Sequence, residues 1–342
     1  MPRLIPVGRH ERAGAALLVA LMGWAVFAAA LEGRALSPTS PYVVAPLALA
    51  VGVAIGRLAA PYVGHRASAL TLLGTTTYLL LAVLWTAGPA KGPLAYANAN
   101  AALAVQLIAL SGLVMTRTTG RWRAVAAVSA LVALAVVDAN ASKAGLAVAV
   151  PLLAVVALGT WRPARRRSTM WIALLAAAAT VASAAAAVGV LAYRPTWPSW
   201  ALSAFDPARK TLWHDALGLW ARHPVSGAGP GSYEQLSTLG RDPDTAAAHS
   251  SVLQVGAETG TIGVALFAAI VLAGLLLVRR STPSDAVIAA GAWTALLVHS
   301  FADHLLDFAP VVLAAGIVLG LATASQRSEQ LDVPEGERPL VR

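Results

Sequence analysis

Long apolar stretches dominate this chain and leave few folds open to it. Ten segments are predominantly apolar: roughly 13–31, 42–60, 68–87, 97–116, 122–137, 144–160, 170–192, 254–278, 285–302 and 308–324. About 20 such residues in a helix cross the hydrocarbon core of a bilayer. Lipid offers no partner for exposed backbone N–H and C=O groups, so a spanning segment satisfies them within its own helix or in a closed barrel. Segments of this length predict an all-α, polytopic transmembrane bundle of about ten spans, in which the fifth and sixth are short and tilted. Composition points the same way. Hydrophobic residues make up 58% and charged residues 12%, about half the charge a soluble surface carries. That apolar content also excludes disorder of the chain as a whole.

The distribution of cations orients the bundle. With the N-terminus cytoplasmic, the inside segments collect Arg3, Arg9 and Arg12, then Arg57 and Arg66, then Arg117, Arg121 and Arg123. Arg162, Arg165, Arg166 and Arg167, the Arg279–Arg280 pair, and Arg327, Arg338 and Arg342 follow on the same side. The outside retains Arg34, Lys91, Lys143 and five cations of one long segment, which translocates largely regardless of charge. The expected topology is N-in and C-in, and it accounts for most of the net charge of +9 without nucleic acid as a partner. The first span is long for a signal-peptide core and reads as a retained helix. Gly52-Val-Ala-Ile-Gly56 is a small-xxx-small pattern that lets helix backbones approach closely. A polar tail from Ser325 to Arg342 reads as disordered and cytoplasmic.

The domain plan is therefore seven spans in 1–192, a long extracytoplasmic loop in 193–253, three spans in 254–324, and the tail 325–342. The loop carries Trp197, Trp200, Phe205, Trp213, Trp220 and Tyr233, too aromatic for a disordered linker. Within it, 207–222 has a helical apolar pattern and reads as an amphipathic helix at the membrane interface. The glycine-rich run Gly227-Ala-Gly-Pro-Gly231 lacks the Gly-Lys-Ser/Thr of a phosphate loop and reads as a turn. The absence of cysteine removes disulfides and thiol chemistry, and the seven histidines show no helical zinc spacing, so neither a metal nor a cofactor is expected.

Polar residues gather at the outer ends of the spans rather than at an apparent midplane, where transporters keep their ionisable groups. They include Asn98, Asn100, Asp138, Asn140, Ser142, Lys143, Arg209, Lys210, Arg222, His249 and Glu258. His299, Asp303 and His304 read mainly as a cap on the last outer turn, and Asn98 and Asn100 as caps on the fourth helix. His223 belongs to the turn before Pro224, while Arg222 and Arg241 read as headgroup contacts.

Several of these residues stand in a recognisable order. Arg209-Lys-Thr-Leu-Trp213, Ala221-Arg-His-Pro-Val-Ser-Gly-Ala-Gly-Pro-Gly-Ser-Tyr233, His249-Ser-Ser-Val-Leu-Gln254 and Glu258-Thr-Gly-Thr-Ile-Gly263 resemble motifs of the O-antigen ligase/polymerase family. Upstream, Tyr96-Ala-Asn98-Ala-Asn100 and Ser142-Lys-Ala-Gly145 resemble its Asn-bearing helix start and its "S-R-G" motif. Lys143 stands where the family has Arg, and Ser250 where Asn is common.

The resemblance implies a membrane glycosyltransferase of the GT-C type, metal-independent and inverting, in the cytoplasmic membrane of a bacterium. It would transfer a glycan from a polyprenyl-diphosphate carrier to a hydroxyl of another glycan, a lipid or a protein, on the extracytoplasmic face. Cations must then meet the departing diphosphate, where a low dielectric strengthens them; Arg209 and Lys143 suit this first, Lys210 and Arg222 after them. Lys143 can equally snorkel at a helix end. Imidazole takes up protons near neutral pH, so His249 suits a general base. Glu258 orients a helix or a sugar. Two other readings stay open at this point: a polytopic transporter, and a non-catalytic partner of a glycan-assembly complex.

Overall fold

The computed structural model describes residues 9–86, 92–161, 166–240, 242 and 245–331, with side chains described from 12 to 324 within those ranges. Arg3, Lys91, Arg162, Arg165, Arg241, Arg338 and Arg342 lie outside the described residues. The described residues are helical throughout, joined by turns. In chain order the helices are α1 (Arg9–Leu31), α2 (Pro41–Ala59), α3 (Arg66–Trp85), α4 (Ala97–Met115), α5 (Gly120–Ala139), α6 (Lys143–Trp161) and α7 (Arg167–Tyr193). Then follow α8 (Ser199–Ala204), α9 (Pro207–Arg222), α10 (Ser232–Leu236), α11 (Ser251–Val278), α12 (Pro283–Phe301) and α13 (Ala309–Leu331). Nine of the described helices, α1 to α7, α11 and α12, are long and apolar enough to cross a membrane, and α13 begins with the shorter apolar stretch Ala309–Ala324. The protein is an all-α polytopic membrane protein. Its last helix continues through Leu331, so the first residues of the expected disordered tail are helical; the remainder, 332–342, lies outside the described residues.

Two helices form the centre. In α4, 89% of the apolar window is buried inside the protein and in α12, 72%, while the other long helices bury 22–33%. These two are also the least hydropathic of the nine. The inverse relation is physical: outer helices face lipid and must be apolar all round, whereas inner helices satisfy polar side chains against neighbours. Gln106 of α4 does so by donating to Ala292 O of α12 at 3.2 Å. Arg117, just beyond α4, bridges Asp285 of α12 at 3.0 Å and also donates to Leu321 O of α13. That clamp ties α4, α12 and α13 at one end of the bundle.

The glycines of α2 have a partner the sequence reading did not single out. A Cβ on Gly52 would strike Leu313 O and one on Gly56 would strike Ile317 O. Reciprocally, Gly316 lies against Leu49 O and Gly320 against Val53 O. Two small-xxx-small patterns thus interlock, and α2 and α13 meet backbone to backbone.

Helix α11 is broken at Gly260, with φ 66° and ψ −166°, a conformation open essentially to glycine alone. The loop after α9 fills the break. Ala228 N donates to Ala257 O at 2.8 Å and Thr261 N to Pro224 O at 2.9 Å. Trp24 Nε1 of α1 donates to Thr259 O at 2.8 Å. Irregular backbone at a membrane helix is tolerable because these partners satisfy it. A side chain at Gly227 would collide with the backbone at Glu258 and Thr259, so the glycine-rich run serves as a close-packed turn. Helix α9 forms over the expected residues, but its apolar face is buried in protein. Leu212, Trp213, Ala216 and Leu219 are buried, and α9 packs against α11 and α7.

Candidate active site

At the end of the bundle opposite the Arg117 clamp, four chain segments meet at one carboxylate. Asp303, in the turn after α12, has a side chain only 1% exposed. Tyr96 Oη donates to both its oxygens at 2.9 Å, and Asn98 Nδ2 donates to Oδ2. Arg209 Nη2 lies 3.4 Å from Oδ2, His249 Nδ1 3.3 Å from Oδ1, and His304 Nδ1 2.9 Å from Oδ1. Asn98 extends the set by accepting from Ser142 Oγ at 2.7 Å, and Ser142 in turn accepts from Gly145 N. The central helices supply Asn98 and, through the turn that follows α12, Asp303. The segments around α9 and α11 bring Arg209 and His249.

The backbone around the cluster is held in sparsely populated conformations. Three positive-φ non-glycine residues occur among the described residues: Ala95 at 51°, Ala141 at 52° and His249 at 47°. The first precedes Tyr96, the second precedes Ser142 and Lys143, and the third is itself in the cluster. Strain of this kind persists only where the surroundings enforce it. Trp213 Nε1 contributes by donating to His249 O at 3.2 Å, which explains why a tryptophan follows Arg209 by four residues.

Electrostatics follow from burial and partners. Burial pushes the Asp303 carboxyl up, but hydrogen bonds with His249 and His304 and the charge of Arg209 outweigh it. The carboxyl is held well below the usual range. Burial draws His304 down and Asp303 more than reverses this, leaving it raised. Asp307, two residues from the last spans' junction with the site, is pushed up to about 6, first by burial. Burial, then the Asp303 charge, raises the Tyr96 phenol well above its ordinary value, so it stays a donor.

The cluster stands between two cavities. A larger one, about 790 Å³, is lined by His249, His304, Asp307, Glu258 and Arg34 among others. A smaller one, about 610 Å³, is lined by Asn98, Lys143, Arg209 and His299. Lys143 is exposed at this rim and donates to Ser203 O at 3.3 Å. Lys210 and Arg222 line neither cavity. Glu258 is buried and accepts from Tyr233 N at 3.2 Å, holding the glycine-rich turn. Asn100 does not cap α4, whose N-cap is Tyr96 without a side-chain cap bond. It accepts from Leu94 N and donates to Tyr96 O, shaping the approach to the helix.

Asp303 and His304 were legible mainly as a turn cap, with a polar cluster near the site as the alternative; they do both, and His304 N donates to Asp303 Oδ1 at 2.8 Å. Their meeting with His249 carried no sequence spacing to reveal it. Ligand atoms of His249, Asp303 and His304 lie within 4.8 Å of one another, a spacing that suits a cation. The Asp303 oxygens, however, already face Tyr96, Asn98 and Arg209.

The described residues of this polytopic α-helical membrane protein thus hold a buried Asp–His–Arg cluster between two cavities. In comparison with known families, residues 104–268 match the family described as O-antigen ligase, and the chain belongs to that family over this stretch. No curated protein matches the chain. Membership brings the protein among glycosyltransferase-like enzymes of polysaccharide biosynthesis in bacterial membranes.

Proposed function

We propose that the protein transfers a glycan from a polyprenyl-diphosphate carrier to a hydroxyl acceptor at the outer face of the cytoplasmic membrane. The observation that carries this reading is the junction of Arg209, His249 and Asp303 between two cavities. The acceptor oxygen attacks the anomeric carbon from the face opposite the carrier, and the C–O bond to the diphosphate breaks with inversion. The electron pair leaves with the diphosphate, whose charge Arg209 and Lys143 meet. His249, oriented through Nδ1 by Asp303, takes the hydroxyl proton. Lys210 and Arg222 are more distant sources of positive potential. Asn98 couples the Ser142–Lys143 turn to Asp303, Asn100 supports Tyr96, and Glu258 acts through the turn it holds.

The orientation with both termini inside places the cluster outside, and the excess of Arg in the opposite loops supports it. A metal-free reaction is supported by the donors that already surround Asp303. In nanodiscs supplied with extracted polyprenyl-diphosphate glycans and an acceptor-bearing membrane extract, the wild type should release polyprenyl diphosphate with or without EDTA. His249→Ala should release at least 10²-fold less, as expected for loss of a general base. Equal release by both proteins would reject His249 as the base, and no release by folded wild type would reject the transfer reaction.

A further inference from the structure

We propose that His249, Asp303 and His304 form an inhibitory zinc site that opens into the larger cavity. Metal binding is a property of these three side chains alone. The inhibition rests on the transfer reaction above, in which His249 is the base.

The ligand atoms are His249 Nδ1, Asp303 Oδ1 and His304 Nδ1. Zinc holds nitrogen and oxygen ligands at about 2.0–2.2 Å, and tetrahedral angles then separate any two of them by about 3.4 Å. Oδ1 lies 3.3 Å from the first nitrogen and 2.9 Å from the second, and the three atoms fall within 4.8 Å of one another. His304 Nδ1 is buried and makes no well-aligned hydrogen bond among the described residues, so it retains the capacity to bind a cation. Two imidazoles with one carboxylate favour zinc over magnesium or calcium, which take oxygen ligands.

The donors around Asp303 leave room for the metal. Asn98 and Arg209 engage Oδ2, and Tyr96 reaches Oδ2 as well as Oδ1, so a cation at Oδ1 leaves all three paired. His304 N occupies one lone pair of Oδ1 at 2.8 Å, and the other serves the metal. Outer partners of this kind orient a ligating carboxylate and are a regular part of metal sites. The histidines are fixed in advance too. His249 stands at φ 47° with its carbonyl held by Trp213. The His304 ring packs among Tyr96, His249 and Phe308 at centroid distances of 4.9, 4.6 and 5.6 Å. Both rings line the larger cavity with Glu234, Glu258, Asp307 and one arginine, Arg34, and that acidic approach attracts a divalent cation.

Zinc at Nδ1 disables the base. General-base action needs a proton on Nδ1, facing Asp303, and the Nε2 lone pair toward the hydroxyl. Metal on Nδ1 places the proton of the neutral ring on Nε2, which then has no lone pair for the acceptor.

The test uses the untagged full chain in nanodiscs of zwitterionic lipid, stripped with EDTA and dialysed. The probes are Zn²⁺ alone, Mg²⁺ as control, and Co²⁺ for its spectrum. Wild type should retain one zinc per chain and give the intense visible bands of four-coordinate Co²⁺, a reading that needs no variant. His304→Phe keeps an aromatic ring in the packed position but offers no ligand, and it should bind zinc at least about tenfold more weakly. With polyprenyl-diphosphate glycans and acceptor supplied, stoichiometric zinc should lower release at least tenfold, EDTA should restore it, and Mg²⁺ should leave it unchanged. No retained zinc, an octahedral Co²⁺ spectrum, or equal affinity in folded His304→Phe would overturn the site. Retained zinc with undiminished release would overturn the inhibition. If metal-free wild type releases nothing, the transfer reaction fails and the inhibition falls with it, while zinc retention and the Co²⁺ spectrum still decide the site.

Discussion

Asp303→Asn is the substitution that most directly probes the cluster. The asparagine has nearly the same shape but carries no charge, and it presents an NH2 group where the aspartate only accepts. Tyr96, Asn98 and Arg209 all point donors at the aspartate oxygens, so at least one donor is left facing another. The Arg209 side chain is 15% exposed and the Asp303 side chain 1%, so solvent screens the loss little. Breaking one partner of such a buried pair costs about 3–5 kcal/mol. At about 1.4 kcal/mol per tenfold, the loss corresponds to two to three and a half orders of magnitude in rate, provided the pair is needed in the transition state. The assay is release of polyprenyl diphosphate per folded molecule, with the folded fraction measured by size exclusion and thermal melting. Tyr96→Phe, which removes one hydrogen bond to a charged acceptor, should cost about 1.5–3 kcal/mol. The double variant should lose less than the two losses added together, because both act on one carboxylate. A folded Asp303→Asn protein with activity within threefold of wild type, or strict additivity with Tyr96→Phe, would refute the reasoning.

Three further outcomes follow from particular contacts. Gly56→Val puts a branched side chain against Ile317 O and should destabilise the α2–α13 pair by about 1–3 kcal/mol; an unchanged melting temperature in nanodiscs would show that the helices do not meet there. Asp307 is neutral up to about pH 6 in the folded protein but ionises near pH 4 when unfolded. The folded state thus binds the extra proton, and stability from this group falls as pH rises from about 4 to 6 and is level above. Melting curves of Asp307→Asn should lack that fall, so the difference from wild type grows over this window and then holds; a constant difference would contradict the burial argument. At Lys143, Arg should sustain release at or above the wild-type rate because it offers bidentate phosphate contacts, while Ala should lower the rate about tenfold through a weaker hold on the departing anion. Equal rates for Lys143→Ala and wild type would remove Lys143 from the diphosphate site.

Much of the architecture was readable in advance because its causes are local. Whether a segment can cross a bilayer depends on its own twenty-odd residues, so nine of the ten expected spans emerge as long apolar helices, with the tenth opening α13. The helix over 207–222 was visible in its periodicity, and the Arg–Trp, Gly-rich and His motifs were visible as a family order that 104–268 matches. Even the break in α11 has a local sign in Gly260, although only its φ and ψ show why glycine stands there.

Packing between distant helices decided the rest. The two least apolar spans, α4 and α12, form the core because polar side chains avoid lipid, but only packing shows which residues they bring together. Gly316 and Gly320 acquire meaning only once Gly52 and Gly56 lie across from them. Asp303 reads in the sequence as one acid in a short turn. Its role arises because Tyr96, Asn98, Arg209 and His249, up to 207 residues away, converge on it. Hydrogen bonds within a helix join near neighbours, so the sequence determines the helices; a shared carboxylate joins residues through space, so only the tertiary structure determines the site.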